Sequence, residues 1–190
     1  LLVTAFLGDR LRRRGVPVRR LAFALGGLLP DVPLIVLTFG YFAWQRWIAP
    51  LPAGEDLFGA TYDALYFGDP AWVVLTSLFH APLLIGGYAW YARRSDRPRL
   101  WWFALGCALH TIIDVFTHHD DGPLLLFPLE WTYRYAAPIS YWHPAYGGAT
   151  FSFYENVLDF AILAYFGVLG IGWMLGRAGL LGAQRIDRVD

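Results

Sequence analysis

Lysine is absent from this 190-residue chain, and cysteine and methionine occur once each. The single thiol, Cys107, excludes an internal disulfide and, set in an apolar run, reads as core packing. Charge is scarce as well: 16% of residues are charged, against 57% hydrophobic and 18% aromatic, a balance that speaks against a soluble domain and for a small integral membrane protein. Fifteen arginines offset fifteen Asp and Glu. Net charge is therefore zero, nothing points to nucleic acid, and the positions of the charges carry the information. No internal repeat or low-complexity tract stands out.

Four apolar runs come near the ~20 residues that a bilayer core requires: residues 21–40, 71–91, 100–117 and 156–176. The expected fold is all-α, a single membrane domain over residues 1–190 with about four transmembrane helices and two long aromatic-rich outer loops, 41–70 and 118–155. Leu1 to Leu7 is too short to span and reads as the end of an amphipathic or re-entrant helix. Because the sequence starts at Leu1 and not at Met, further residues are expected upstream.

The arginines fall in three clusters. Arg10, Arg12, Arg13, Arg14, Arg19 and Arg20 precede the first run; Arg93, Arg94, Arg97 and Arg99 join the second to the third; Arg177, Arg185 and Arg188 follow the fourth. In a four-span arrangement all three share one side, which the positive-inside rule makes cytoplasmic. The expected location is a bacterial inner membrane, with the lipid bilayer as first partner. The outer loops carry only Arg46 and Arg134 and are rich in Trp44, Trp47, Trp131, Tyr133, Tyr135, Tyr141 and Trp142, as suits an interfacial belt or a lid on the headgroups.

Polar residues inside the apolar runs are few and specific. On a helix His110, Asp114 and His118 follow one another at intervals of four, so their side chains climb one face about 6 Å apart. At ~1.5 Å per residue, Asp31 stands about 15 Å from the inner end of its span, His80 about 14 Å from the outer end, and His110 about 15 Å from the inner end. Three helices thus bring polar groups to one level. A charged side chain at mid-membrane costs at least ~2.5–3.5 kcal/mol, so Asp31 and Asp114 need partners. One solution is an Asp–His pair that locks helices together. The other is a metal site, and two carboxylates with two or three imidazoles exceed what helix packing requires.

Asp31 sits in Leu29-Pro30-Asp31-Val32-Pro33 behind Gly26 and Gly27, where irregular backbone is tolerated if it lines a protein cavity. His80 is likewise followed, two residues on, by Pro82. His118 completes the candidate ligand set Asp31, His80, His110, Asp114 and His118. His119 and Asp120 are candidate proton shuttles, or ligands of a second metal, and Asp114 doubles as a candidate proton acceptor. Glu155 and Asp159 are candidate outer partners of the ligands, or simply an acidic helix start. His143 reads as a loop residue.

Leu29-Pro30-Asp31, Leu78-Phe79-His80 and the stretch HTIIDVFTHHDDGPLLLFPL from His110 to Leu129, with its HxxxDxxTH core, resemble the predicted membrane-bound metal-dependent hydrolases, a family distantly similar to zinc-dependent phospholipases C. The resemblance covers most of residues 20–160. It implies metal-binding roles for Asp31, His80, His110 and Asp114, with His118 in the TH position, and a further His near the start that either precedes Leu1 or is missing from the site.

The expected chemistry is hydrolysis with Zn²⁺, or Mn²⁺ or another first-row divalent metal, on an amphiphilic ester such as a phospholipid or a lipid-linked phosphate. The rival expectation is a non-catalytic subunit of a larger membrane assembly, packing against other subunits and holding a pigment or a haem through His80 and His110.

Overall fold

The computed structural model describes residues 1–52, 54–141 and 143–177. Trp142 of the aromatic belt, and Arg185 and Arg188 of the third arginine cluster, lie outside the described residues. Among the described residues eight α-helices follow in order: α1 (Leu2–Arg13), α2 (Arg20–Leu28), α3 (Asp31–Trp47), α4 (Ala60–Asp63), α5 (Pro70–Ser77), α6 (Pro82–Arg94), α7 (Pro98–Thr117) and α8 (Gly148–Arg177). A π turn extends α4 over Ala64–Gly68, and a 3₁₀ turn at Pro144–Tyr146 precedes α8. The only β pairing among the described residues is a single bridge between Leu124 and Arg134.

Among the described residues two helices, α7 and α8, are individually long and apolar enough to cross a membrane. The other two expected spans are broken. Residues 20–47 form α2 and α3, bent by 41°, and residues 70–94 form α5 and α6, bent by 45°. Each break follows from a proline. Pro30 and Pro82 lack the N–H that would continue the ladder, so the chain turns there. Span boundaries shift accordingly, most of all in α8, which begins at Gly148, eight residues before the expected 156.

Helix starts are written locally. Pro70, Pro82 and Pro98 each occupy a first helical turn, where the missing N–H costs nothing. Asp69 caps α5 by accepting from the backbone N–H of Ala71 at 2.9 Å and of Trp72 at 3.1 Å.

The centre of the packing is the crossing of α2 and α7, which run parallel: Phe23 meets Trp102 edge-on at 5.7 Å, and Gly26 faces Phe103, Gly106 and Cys107. α1 folds back along α2, with Thr4 against Gly27 and Gly8 against Phe23. The expected helix end at Leu1–Leu7 is the first part of this 12-residue helix. α6 packs on α7 through Ile85, Ala104 and Cys107. A second small core of Val73, Ala81, Leu124 and Phe127 joins the α5–α6 break to the loop after α7.

α8 is tied to the rest by Phe6–Tyr165 ring contact and by Asp9, which accepts from Tyr165, Arg13 and Arg20. Large apolar side chains stand open around the bundle, among them Leu21 (74% exposed), Phe39 (67%) and Phe160 (70%). Exposure on that scale needs an apolar medium or a partner to cover it.

Candidate metal centre

Asp31, His80, His110 and Asp114 converge. One ligand atom from each lies within 4.8 Å of the others. His80 Nε2 stands 2.8 Å and His110 Nε2 2.9 Å from the same oxygen, Asp114 Oδ2. The two imidazole Nε2 atoms are 3.0 Å apart, and His110 Nε2 is 3.3 Å from Asp31 Oδ1. Donors around a tetrahedral Zn²⁺ with bonds of ~2.1 Å stand roughly 3.4 Å apart, so a small shift of each side chain would admit the ion.

The two helix breaks build this site. At the first, α2 ends at Leu28 and Asp31 opens α3, which frees the Gly27 carbonyl from its own helix. That carbonyl accepts from His110 Nδ1 at 3.1 Å. A carbonyl only accepts, so Nδ1 of His110 carries a proton, and in the neutral ring this leaves Nε2 with the lone pair that a metal would need. Orientation of a ligating histidine by a backbone carbonyl on its far nitrogen is the usual outer-shell device in metal sites.

At the second break, Pro82 supplies no N–H to the Leu78 carbonyl four residues earlier. Tyr88 replaces it, its hydroxyl donating to Leu78 O at 2.9 Å, while Thr111 Oγ1 donates to His80 O at 3.1 Å. Carbonyls released at both breaks are thus taken up by side chains of neighbouring helices. The result is a fixed position for Asp31 and His80 against an unbroken α7.

A lone pair on His110 Nε2 facing two carboxylate oxygens is repulsive unless a proton or a cation sits between them. Two carboxylates and two neutral imidazoles would leave a divalent ion with no net charge, the cheapest state for a low-dielectric surrounding. The donor set of nitrogen and oxygen suits Zn²⁺ and accepts Mn²⁺. His80, His110 and Asp114 are largely covered, with side chains 11–16% exposed, whereas Asp31 is 47% exposed and marks the open side.

The remaining candidates lie elsewhere. His118 does not continue the face of His110 and Asp114, because α7 ends at Thr117 and His118 is extended, with φ −120° and ψ 122°. Its ring turns back so that Nδ1 meets the Asp114 backbone carbonyl at 3.1 Å, and it is not one of the four converging residues. His119 donates from Nδ1 to Ala137 O at 2.7 Å and stacks on Tyr146 at 3.6 Å. Asp120 is exposed.

Glu155 and Asp159 fall within α8 and do not start it, since that helix begins at Gly148. His143 is a loop residue whose Nδ1 accepts from Ala145 N, as a cap of the 3₁₀ turn.

Four contributors had no sequence signal strong enough to single them out: the Gly27 carbonyl, Tyr88, Thr111 and Tyr141. The first three act through backbone groups that only the breaks release. Tyr141 reads as one belt aromatic among many, yet its ring packs edge-on to His118 at 4.7 Å. No family model, curated protein or solved structure matches this chain.

Proposed function

We propose that this chain is a membrane-embedded, metal-dependent hydrolase acting on an amphiphilic ester, with a lipid or lipid-linked phosphate as the substrate class. The observation that carries the reading is the convergence of two carboxylates and two imidazole nitrogens, from α3, the α5–α6 break and α7, within 4.8 Å. A helix-locking pair needs one Asp and one His; the second pair and the carbonyl that fixes the His110 tautomer are what a metal site requires in addition. Zn²⁺ is the first choice and Mn²⁺ the second.

Held by these four residues, a divalent ion would supply hydroxide at neutral pH by lowering the pKa of its bound water, and would polarise a phosphoryl or acyl oxygen. The chain's own residues do the rest. Asp31, half exposed, borders the opening through which a headgroup enters. Asp114, whose Oδ2 stands within 2.9 Å of both imidazole Nε2 atoms, is a ligand in this reading and a candidate proton acceptor. His119 and Asp120, on the loop after α7, are the candidates to carry protons to and from the outside. With the arginine clusters cytoplasmic, this opening faces the outer side of a bacterial inner membrane.

Metal content of the detergent-purified, full-length protein tests the reading, compared with a His110→Ala, Asp114→Ala double variant. About one or two equivalents of zinc or manganese, lost in the variant, are expected. No bound metal in either protein after chelator-free purification and metal repletion would overturn it.

The rival, a non-catalytic subunit of a membrane assembly, is favoured by one observation. Beyond Tyr165, α8 offers Val168, Ile171, Trp173 and Met174, each more than half exposed, to whatever surrounds it. Its haem variant fits less well: axial ligands face each other across a porphyrin plane, whereas His80 and His110 share one carboxylate oxygen between them.

A further inference from the structure

An apolar groove of about 430 Å³ runs between α6 and α7, walled by Pro82, Ile85 and Ala89 on one side and by Ala104, Ala108 and Ile112 on the other. Gly86 lines it too, and nothing lies within 4 Å of the place a side chain would take there. On α7 the lining reaches from Ala104 to Phe116, a rise of ~18 Å, close to the ~15 Å of one bilayer leaflet. None of the four converging residues lines this groove.

A second cavity, polar and of about 220 Å³, lies at the arginine-rich end of the same helix pair, where Arg93, Asp96, Arg97 and Trp101 border it. Arg93 follows Ala89 by four residues and Trp101 precedes Ala104 by three. The two cavities therefore share one stripe on each helix, a single turn apart. The Arg93 guanidinium lies over the Trp101 ring at 4.3 Å, and that of Arg97 over Tyr91 at 5.7 Å. A guanidinium stacked on a ring keeps its N–H edge free for an anion. Arg13 and Arg20 share Asp9, whereas neither Arg93 nor Arg97 has a carboxylate partner among the described residues. Across residues 93–99 four arginines stand against the single Asp96, so this end is positive.

We infer that the two cavities form one binding site for an anionic phospholipid, its phosphate held between Arg93 and Arg97 and an acyl chain lying along the groove toward Pro82. A groove alone would accept any chain and an arginine pair any anion. Their alignment, charge at the helix ends and apolar wall beyond, is the order of groups in a lipid of the leaflet on the arginine side. The inference shares the membrane setting of the proposed hydrolase and none of its metal chemistry.

Native mass spectrometry of the full-length protein in detergent, titrated with dioleoyl phosphatidylglycerol or dioleoyl phosphatidylcholine, tests it. Expected is a one-lipid adduct of the monomer, with the anionic lipid bound on the order of ten-fold more tightly, as two arginines near a headgroup provide. Joint Arg93→Gln and Arg97→Gln substitution should erase that preference. Gly86→Leu fills the groove and should weaken both lipids alike. Gly87→Leu, equally free of neighbours but outside the lining, should match the wild type. Circular dichroism confirms that each variant is folded.

Equal affinity of the wild type for the two lipids would overturn the inference, as would a preference that survives loss of both arginines or adducts indifferent to Gly86→Leu. A lipid-free dimer that Gly86→Leu breaks apart would also overturn it, by assigning the groove to a second copy of the chain. The expected lipid preference in a protein that binds no metal would sustain this inference and overturn the hydrolase reading alone.

Discussion

Substituting Gly106 by alanine should open the α2–α7 crossing and loosen the candidate metal centre without touching any of its four residues. A methyl group at Gly106 would stand 2.2 Å from the Phe23 carbonyl oxygen and 2.9 Å from Gly26 Cα. A carbon and a carbonyl oxygen approach no closer than roughly 3.3 Å, so the two helices must part by about 1 Å. Both close atoms are backbone, which leaves no flexible side chain to turn aside.

Overpacking of this kind costs about 1–3 kcal/mol in stability. The hydrogen bond from His110 Nδ1 to Gly27 O spans 3.1 Å across the same crossing, one turn further along α7. An extra ångström puts it beyond the range of a real hydrogen bond. Loss of such an outer partner lowers metal affinity by roughly 10–100-fold. The assay is zinc affinity by chelator competition on purified full-length protein, with helicity monitored by circular dichroism to confirm folding. Gly87→Ala is the control, since nothing lies within 4 Å of that position. Zinc affinity in Gly106→Ala equal to wild type, with helicity intact, would refute the coupling of crossing to tautomer.

Other outcomes follow from single groups. Tyr88→Phe leaves the Leu78 carbonyl without its donor at the α5–α6 break, and thermal unfolding should show a loss of about 1–3 kcal/mol. Asp9 is held below its ordinary carboxylate value first by its hydrogen bond with Arg13, then by that with Tyr165. A depressed folded value means that the contribution is complete above the unfolded value, 3.8, and fades as pH falls through the folded one. Asp9→Asn should therefore cost about 1 kcal/mol at pH 7 and progressively less below pH ~4, read from thermal unfolding at several pH values.

Length, composition and the rarity of charge were enough to mark out four apolar segments and to single out Asp31, His80, His110 and Asp114, because an ionisable residue in an apolar run has no cheap solvated alternative. The i, i+4 spacing of His110 and Asp114 also held, as α7 is one unbroken helix. His118 shows where that reasoning stops. Extrapolating the same period assumed a helix that in fact ends one residue earlier, and helix ends are set by what packs beyond them. Prolines at 30 and 82 gave notice of irregular backbone but not of its use. Only tertiary contact shows that the carbonyl freed at Gly27 fixes the His110 proton, that Tyr88 and Thr111 take up the carbonyls of the second break, and that Tyr141 is carried from a distant loop to the side of His118. These are contacts across 10 to 83 residues of chain. A local pattern encodes which groups need partners; which partners they find depends on how close two helices can approach, and here two glycines at one crossing decide it.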